Sequence, residues 1–165
     1  MFIPYDLSRL NILIAEHHEY MRKTMQGIMR SFNIAQVRVV SSEEAAQSEL
    51  STGNFDILFS DWSPNFDGLK LVDWVRTDEK SPNPFMPVVM VSAFAERRHV
   101  VTARDWGVTE YIVKPVSAHL VHSRLVNIVE SNRAFVRTTK FFGPDRRRKA
   151  SDHDGPDRRD SANAA

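Results

Sequence analysis

Phe55-Asp56-Ile57-Leu58-Phe59-Ser60-Asp61-Trp62 leads, through Ser63, into Pro64-Asn65-Phe66-Asp67-Gly68-Leu69. Residues 57–60 make a short apolar run suited to a strand covered on both faces, and Asp61 follows at its carboxyl end. Leu69, Leu71, Val72 and Val75 then recur at helical spacing, so a helix begins just after Asp67-Gly68. An apolar strand, a polar turn and an amphipathic helix form one βα unit.

The same unit recurs along the chain. Asn11–Ala15 (NILIA) predicts a first strand, and Tyr20, Met21, Met25, Ile28 and Met29 a helix through Ser31. Residues 37–40 predict a second strand. Ser41 and Glu44 offer a capping box for a helix through Leu50. After the loop marked by Pro82, Pro84 and Pro87, residues 88–91 predict a fourth strand, and a helix over 96–106 stops at Gly107. Residues 111–113 predict a fifth strand. Ser117 caps a last helix with Leu120, Leu125, Ile128 and Val129 as its stripe, running on toward Phe135 or Thr138. Five βα repeats imply an α/β fold, a doubly wound five-stranded parallel sheet with its site at the strand carboxyl ends.

The bulk numbers exclude several classes. The chain has 165 residues, long enough for one domain with a core plus a tail. It has no cysteine, which rules out disulfides, a thiolate-ligated metal and a thiol nucleophile. Net charge is +1, so no global field draws it to nucleic acid or an anionic membrane. No apolar run approaches the ~20 residues of a membrane span. The start MFIPYDLSRL lacks the charged leader and apolar core of a signal peptide, so a cytoplasmic location is expected.

Polar side chains gather where the fold rule places a site. Glu16, His17, His18 and Glu19 follow the first strand, Asp61 the third, Ser92 the fourth and Lys114 the fifth, with Asp67 six residues beyond Asp61. Clustered carboxylates can hold Mg2+ through oxygen, and an aspartate can accept a phosphoryl group while a metal and a lysine neutralise developing charge. Polar strand ends also arise simply from contact with water. The adjacent His17 and His18 point in different directions at a helix start and read as a solvated terminus rather than a metal site.

The 55–69 stretch, Val91-Ser92-Ala93, and Tyr111-Ile112-Val113-Lys114-Pro115 together resemble CheY-like response-regulator receiver domains over about residues 10–131. The resemblance implies Asp61 as phospho-acceptor, Ser92 and Tyr111 as the switch pair, and Lys114 as the phosphate-contacting lysine. It also implies a Mg2+ site that would use Glu16 and Asp61. Two departures weaken that implication. Where receivers usually carry two acidic residues after the first strand, this chain has Glu16 and His17, and imidazole suits Mg2+ poorly. The loop from Asp61 to Gly68 is also one residue shorter than the usual receiver pattern, and that loop normally offers the metal a backbone carbonyl. Weakened or lost Mg2+ binding and phosphorylation are expected.

The carboxyl-terminal stretch is of another kind. Gly143-Pro144-Asp145-Arg146-Arg147-Arg148 returns as Gly155-Pro156-Asp157-Arg158-Arg159, 12 residues later. Residues 140–165 carry seven basic and five acidic side chains, a net of +2, against 15 and 16 in the rest. With no hydrophobic periodicity beyond Gly143, the segment reads as disordered when alone. The expected division is a receiver domain over 8–138 and an arginine-rich tail over 139–165.

Arginine forks bind phosphate and pair with guanine O6 and N7, while a carboxylate accepts from guanine N1–H and N2–H. Phe141 and Phe142 add a stacking surface. A ligand with two guanines and two phosphates matches this inventory, and cyclic di-GMP is such a ligand; its two-fold symmetry suits a duplicated phrase. A charge-balanced solubilising tail is the plain alternative. Interspersed aspartates argue against nonspecific nucleic-acid binding, because they offset counterion release.

Receiver motifs joined to such a tail resemble the Cle family of cyclic di-GMP effectors. The resemblance implies a non-enzymatic protein that docks on a flagellar motor-switch protein, with recruitment to the flagellated pole and no membrane insertion. Asp145, Arg146, Arg147, Arg148, Asp157, Arg158 and Arg159 would bind the nucleotide. The competing expectations are a single-domain phosphorelay receiver phosphorylated on Asp61 by a histidine kinase, and an adaptor whose tail binds protein or nucleic acid.

Overall fold

A computed structural model describes residues 5–131 and 134–145. Its elements run β1 (Asn11–Ala15), α1 (Glu19–Ser31), β2 (Gln36–Val40), α2 (Glu43–Thr52), β3 (Ile57–Trp62), α3 (Gly68–Thr77), β4 (Val88–Ser92), α4 (Arg97–Asp105), β5 (Glu110–Val113), α5 (Ala118–Glu130), β6 (Phe135–Arg137) and β7 (Phe142–Pro144). The first five strands form one parallel sheet in the order β2-β1-β3-β4-β5. That order reverses between β1 and β3, which opens a crevice at their carboxyl ends.

Strand alternation divides the core. Leu13, Leu58, Val88 and Met90 pack on one face with Leu71, Val72 and Val75 of α3 and Ala103 of α4. Ile12, Ile14, Ile57, Phe59, Val89 and Val91 pack on the other with Met25 and Met29 of α1 and Val121 and Leu125 of α5. Tyr20, expected on the buried stripe of α1, is 81% exposed, and Val129 of α5 also faces solvent. Both sit one position off their stripes. Among the described residues no helix is long and apolar enough to cross a membrane.

Caps set the helix ends. Asp67 Oδ1 accepts from Lys70 N at 3.1 Å and opens α3, and Ser117 Oγ accepts from Leu120 N at 3.2 Å and opens α5. The α2 cap is Ser42, which accepts from Ala45 N, and not Ser41. Glu43 of that turn accepts from Asp67 N at 2.6 Å, joining α2 to α3. Gly107 at φ +96° follows α4 and turns the chain into β5.

The expected extension of α5 toward Phe135 or Thr138 does not occur. The helix ends at Glu130, and β6 and β7 form an antiparallel hairpin with Val136 opposite Gly143. Thr138 N donates to Phe141 O at 2.7 Å across its turn, and Asp145 N to Ala134 O at 2.8 Å at its open end. The hairpin joins residues on both sides of the expected division at 138/139. Phe135 and Phe142 meet Phe85 at ring separations of 5.1 and 5.4 Å. That apolar contact, at the amino ends of the strands, explains why the chain leaves the helix path.

Candidate functional site

The site at the strand carboxyl ends is built on one cation. Lys114, at the end of β5, donates to Glu16 Oε2 at 2.8 Å and to Asp61 Oδ1 at 2.9 Å. Asp61 lies within β3, two residues longer than expected, and pairs with Val91 of β4. Glu16 follows β1. The adjacent β1 and β3, and β5 one strand beyond β4, deliver the three groups to one point because the carboxyl ends of a parallel sheet lie along one edge. Both carboxylates are buried, at 2% and 1% exposure. Burial pulls the Lys114 ammonium down, but hydrogen bonds and charge from Asp61 and Glu16 outweigh it and raise its pKa above the ordinary lysine value.

The remaining oxygens are also engaged. Glu16 Oε1 accepts from His18 N at 2.8 Å, and Ser63 Oγ donates to Asp61 Oδ2 at 2.9 Å. The shortened loop closes on itself: Ser63 N donates to Phe66 O at 3.0 Å and Phe66 N to Ser63 O at 3.1 Å. The turn needs Gly68, since a Cβ there would lie 2.1 Å from Asp61 O. The Ser63 carbonyl thus accepts from Phe66 N within its own turn, and the Lys114 ammonium stands between the Glu16 and Asp61 carboxylates. Among the described residues no group of three or more His, Asp or Glu could hold a metal ion. Mg2+ wants near-octahedral oxygen ligation, and this donor set does not fit it. His17 and His18 are exposed at the start of α1. Asp67 is outside the pocket, committed to the α3 cap.

Ser92 ends β4, where its hydroxyl donates to Trp62 O at 2.6 Å and accepts from Phe94 N at 3.1 Å. Tyr111 donates to Phe94 O at 2.8 Å. Burial pushes its phenol up, and a Ser92 interaction partly offsets this. Phe94 stacks on His99 at 4.7 Å, and Trp62 packs edge-on against both. The structure therefore brings Glu16, Asp61 and Lys114 together, places Ser92 beside them, and sets Tyr111 on the neighbouring aromatic cluster. Ser63 and the Trp62–Phe94–His99 cluster were not expected from sequence. Ser63 could have been found, because a serine two residues past an aspartate in a tight turn has a short reach back.

A second polar centre lies at the amino ends of the strands. Arg76 of α3 is 3% exposed. It donates to Gly107 O at 2.9 and 3.2 Å, and to Pro84 O and Met86 O at 2.8 Å. Its guanidinium lies 5.2 Å from the centre of the Phe135 ring. Burial lowers its pKa to about 10. Its signal was its spacing four residues after Val72, on the buried stripe of α3. Asp145 is half-buried at the foot of the hairpin. Arg146, Arg147, Arg148, Asp157, Arg158 and Arg159 lie outside the described residues.

A crevice carrying a buried aspartate and lysine at the switch point of a 2-1-3-4-5 parallel sheet defines a receiver-type protein. The family model for the response regulator receiver domain matches residues 12–126, and the chain belongs to that family. It is 32% identical over 122 residues to the chemotaxis protein CheY of Pseudomonas aeruginosa, covering 73% of this chain and 97% of that one. It is 30% identical over 122 residues to the chemotaxis protein CheY-3 of Vibrio cholerae, covering 73% and 92%. Among solved structures, the receiver domain of the Francisella response regulator 1452 superposes with a TM-score of 0.61 at 25% identity, over 73% of this chain and 96% of that one.

Proposed function

We propose that this chain is a cyclic di-GMP effector built on a receiver scaffold, and that it acts on a flagellar motor-switch protein rather than as an enzyme. The observation that carries the reading is the doubled Gly-Pro-Asp-Arg-Arg phrase at 143–147 and 155–159. Each copy supplies guanidinium forks for phosphate and the guanine O6/N7 edge, with a carboxylate for the opposite edge. The first copy begins on the hairpin, where Gly143 and Pro144 are buried and Asp145 N is held by Ala134 O. A ligand-gripping segment anchored at its start loses less entropy on binding than a free one. The names of the two chemotaxis relatives support a motor partner, and the cytoplasm near the flagellated pole is where such an effector would act.

Phosphorylation at Asp61 is weakened in this reading. Ser63 holds Asp61 Oδ2, and the loop carbonyl that would meet a metal is closed into its own turn.

Titration calorimetry tests the proposal. The full chain is compared with one lacking 146–165, which keeps the hairpin intact. Cyclic di-GMP should bind the first and not the second; equal affinity refutes the tail mechanism. A phosphorelay receiver is the second reading, favoured by the contact of Lys114 with Asp61. Efficient, Mg2+-dependent addition of one phosphoryl group from phosphoramidate, read by intact mass, would establish it.

A further inference from the structure

An open cleft of about 590 Å3 lies between the ends of α3 and α4 and the turn of the hairpin. Its size falls within the usual range for small-molecule sites. One wall carries Trp106, which is 45% exposed although it is among the largest apolar side chains in the molecule. Trp106 is the cap residue of α4, held in place by the turn at Gly107. The cleft is also lined by Arg137, whose guanidinium lies 4.5 Å from the centre of the Phe142 ring, and by Lys140 from the turn. Asp73 of α3 lines the cleft beside them.

An aromatic plane, a planar cation, an ammonium and a carboxylate around one cleft are the groups that recognise a guanine nucleotide. Base stacking uses Trp106, and a stacked or forked contact uses Arg137. Lys140 supplies a phosphate charge, and Asp73 an acceptor for N1–H and N2–H. Adenine offers a bare acceptor at N1 instead, so the carboxylate selects against it.

We propose that the cleft between Trp106 and Arg137 takes one guanine of cyclic di-GMP. The inference rests on the cyclic di-GMP reading above and deepens it. It makes the hairpin part of the binding site rather than a tether.

The test uses the full chain. Trp106→Ala and Arg137→Ala should each weaken cyclic di-GMP binding by about tenfold in calorimetry, with thermal unfolding unchanged because both side chains are exposed. Trp106→Phe should recover most of the affinity, and cyclic di-AMP should bind more weakly than cyclic di-GMP. The indole N–H resonance of Trp106 should shift saturably with nucleotide in the unaltered chain. Arg146→Ala/Arg147→Ala/Arg148→Ala provides the contrast. If that triple variant loses binding while Trp106→Ala stays within twofold of the unaltered chain, the cleft is overturned and the tail mechanism stands. If the unaltered chain shows no binding, both fall.

Discussion

The two ends of the sheet each hold a cation out of bulk water, and they do so by opposite means. At the carboxyl ends, Lys114 sits between two buried carboxylates, so the charges largely compensate. At the amino ends, Arg76 is surrounded by backbone carbonyls and the Phe135 face, so dipoles alone replace its water. The first arrangement is chemically poised, since any competitor for Asp61 has to displace an ammonium. The second is structural: one side chain pins the loop before β4, the turn after α4 and the hairpin together. A charged group in a receiver fold can thus mark reactivity or architecture, and its partners distinguish the two.

The largest expected effect falls on the architectural end. Arg76→Ala strips hydrogen bonds from the carbonyls of Gly107, Pro84 and Met86 and leaves a void under Phe135. A loss of about 4–5 kcal/mol is expected by urea denaturation, with a reduced slope if the hairpin detaches first. If the loss were under about 1 kcal/mol, Arg76 would not be the pin.

Lys114→Met comes next, at about 3 kcal/mol near neutral pH, because Glu16 and Asp61 are left facing each other without a counter-charge. The two cations of the unaltered chain also give opposite alkaline slopes. Lys114 is raised, so its contribution is present below about 10.5 and is lost as pH rises through its folded value. Arg76 is lowered to about 10, well below the ordinary arginine value, so the unfolded state holds more protons between the two and stability rises with pH there. Urea midpoints of the unaltered chain and Lys114→Met from pH 9 to 12 should diverge least at the alkaline end.

Much of this was legible beforehand. Strands such as Asn11–Ala15 and Val88–Ser92 declare themselves because a sheet covered on both faces needs unbroken apolar runs. Asp67, Ser117 and Gly107 mark helix ends through chemistry local to the chain. The hairpin was not legible, because three-residue strands show no period and Phe135 follows Ile128 at helical spacing. Its reason for existing is Phe85, 50 residues away. The closed turn at Ser63–Phe66 was likewise hidden: the missing loop residue was visible, but not that the two backbones would pair.

Gly143→Ala separates the hairpin from the pin beneath it. A Cβ at 143 would lie 2.7 Å from Gly107 Cα, and one at 107 equally near Phe142 O, so the two glycines let the backbones touch. About 2 kcal/mol should be lost, and the amide protons of Thr138 and Asp145 should exchange faster while those of β1 and β3 do not. Uniformly faster exchange would mean that the hairpin and sheet unfold as one unit.

Ser63→Ala is the mildest change and bears on the carboxyl-end site alone. It removes the donor to Asp61 Oδ2 but leaves Lys114 on Oδ1 and the backbone pairing of the turn intact. A net hydrogen bond to a charged acceptor is worth about 1.5 kcal/mol, and water can enter near the half-exposed Ser63, so a cost of about 0.5–1 kcal/mol is expected. The informative readout is phosphoramidate labelling. If Ser63 is what keeps Oδ2 from reacting, Ser63→Ala should label faster than the unaltered chain. If labelling stays slow, the restraint lies with Lys114 and the closed turn.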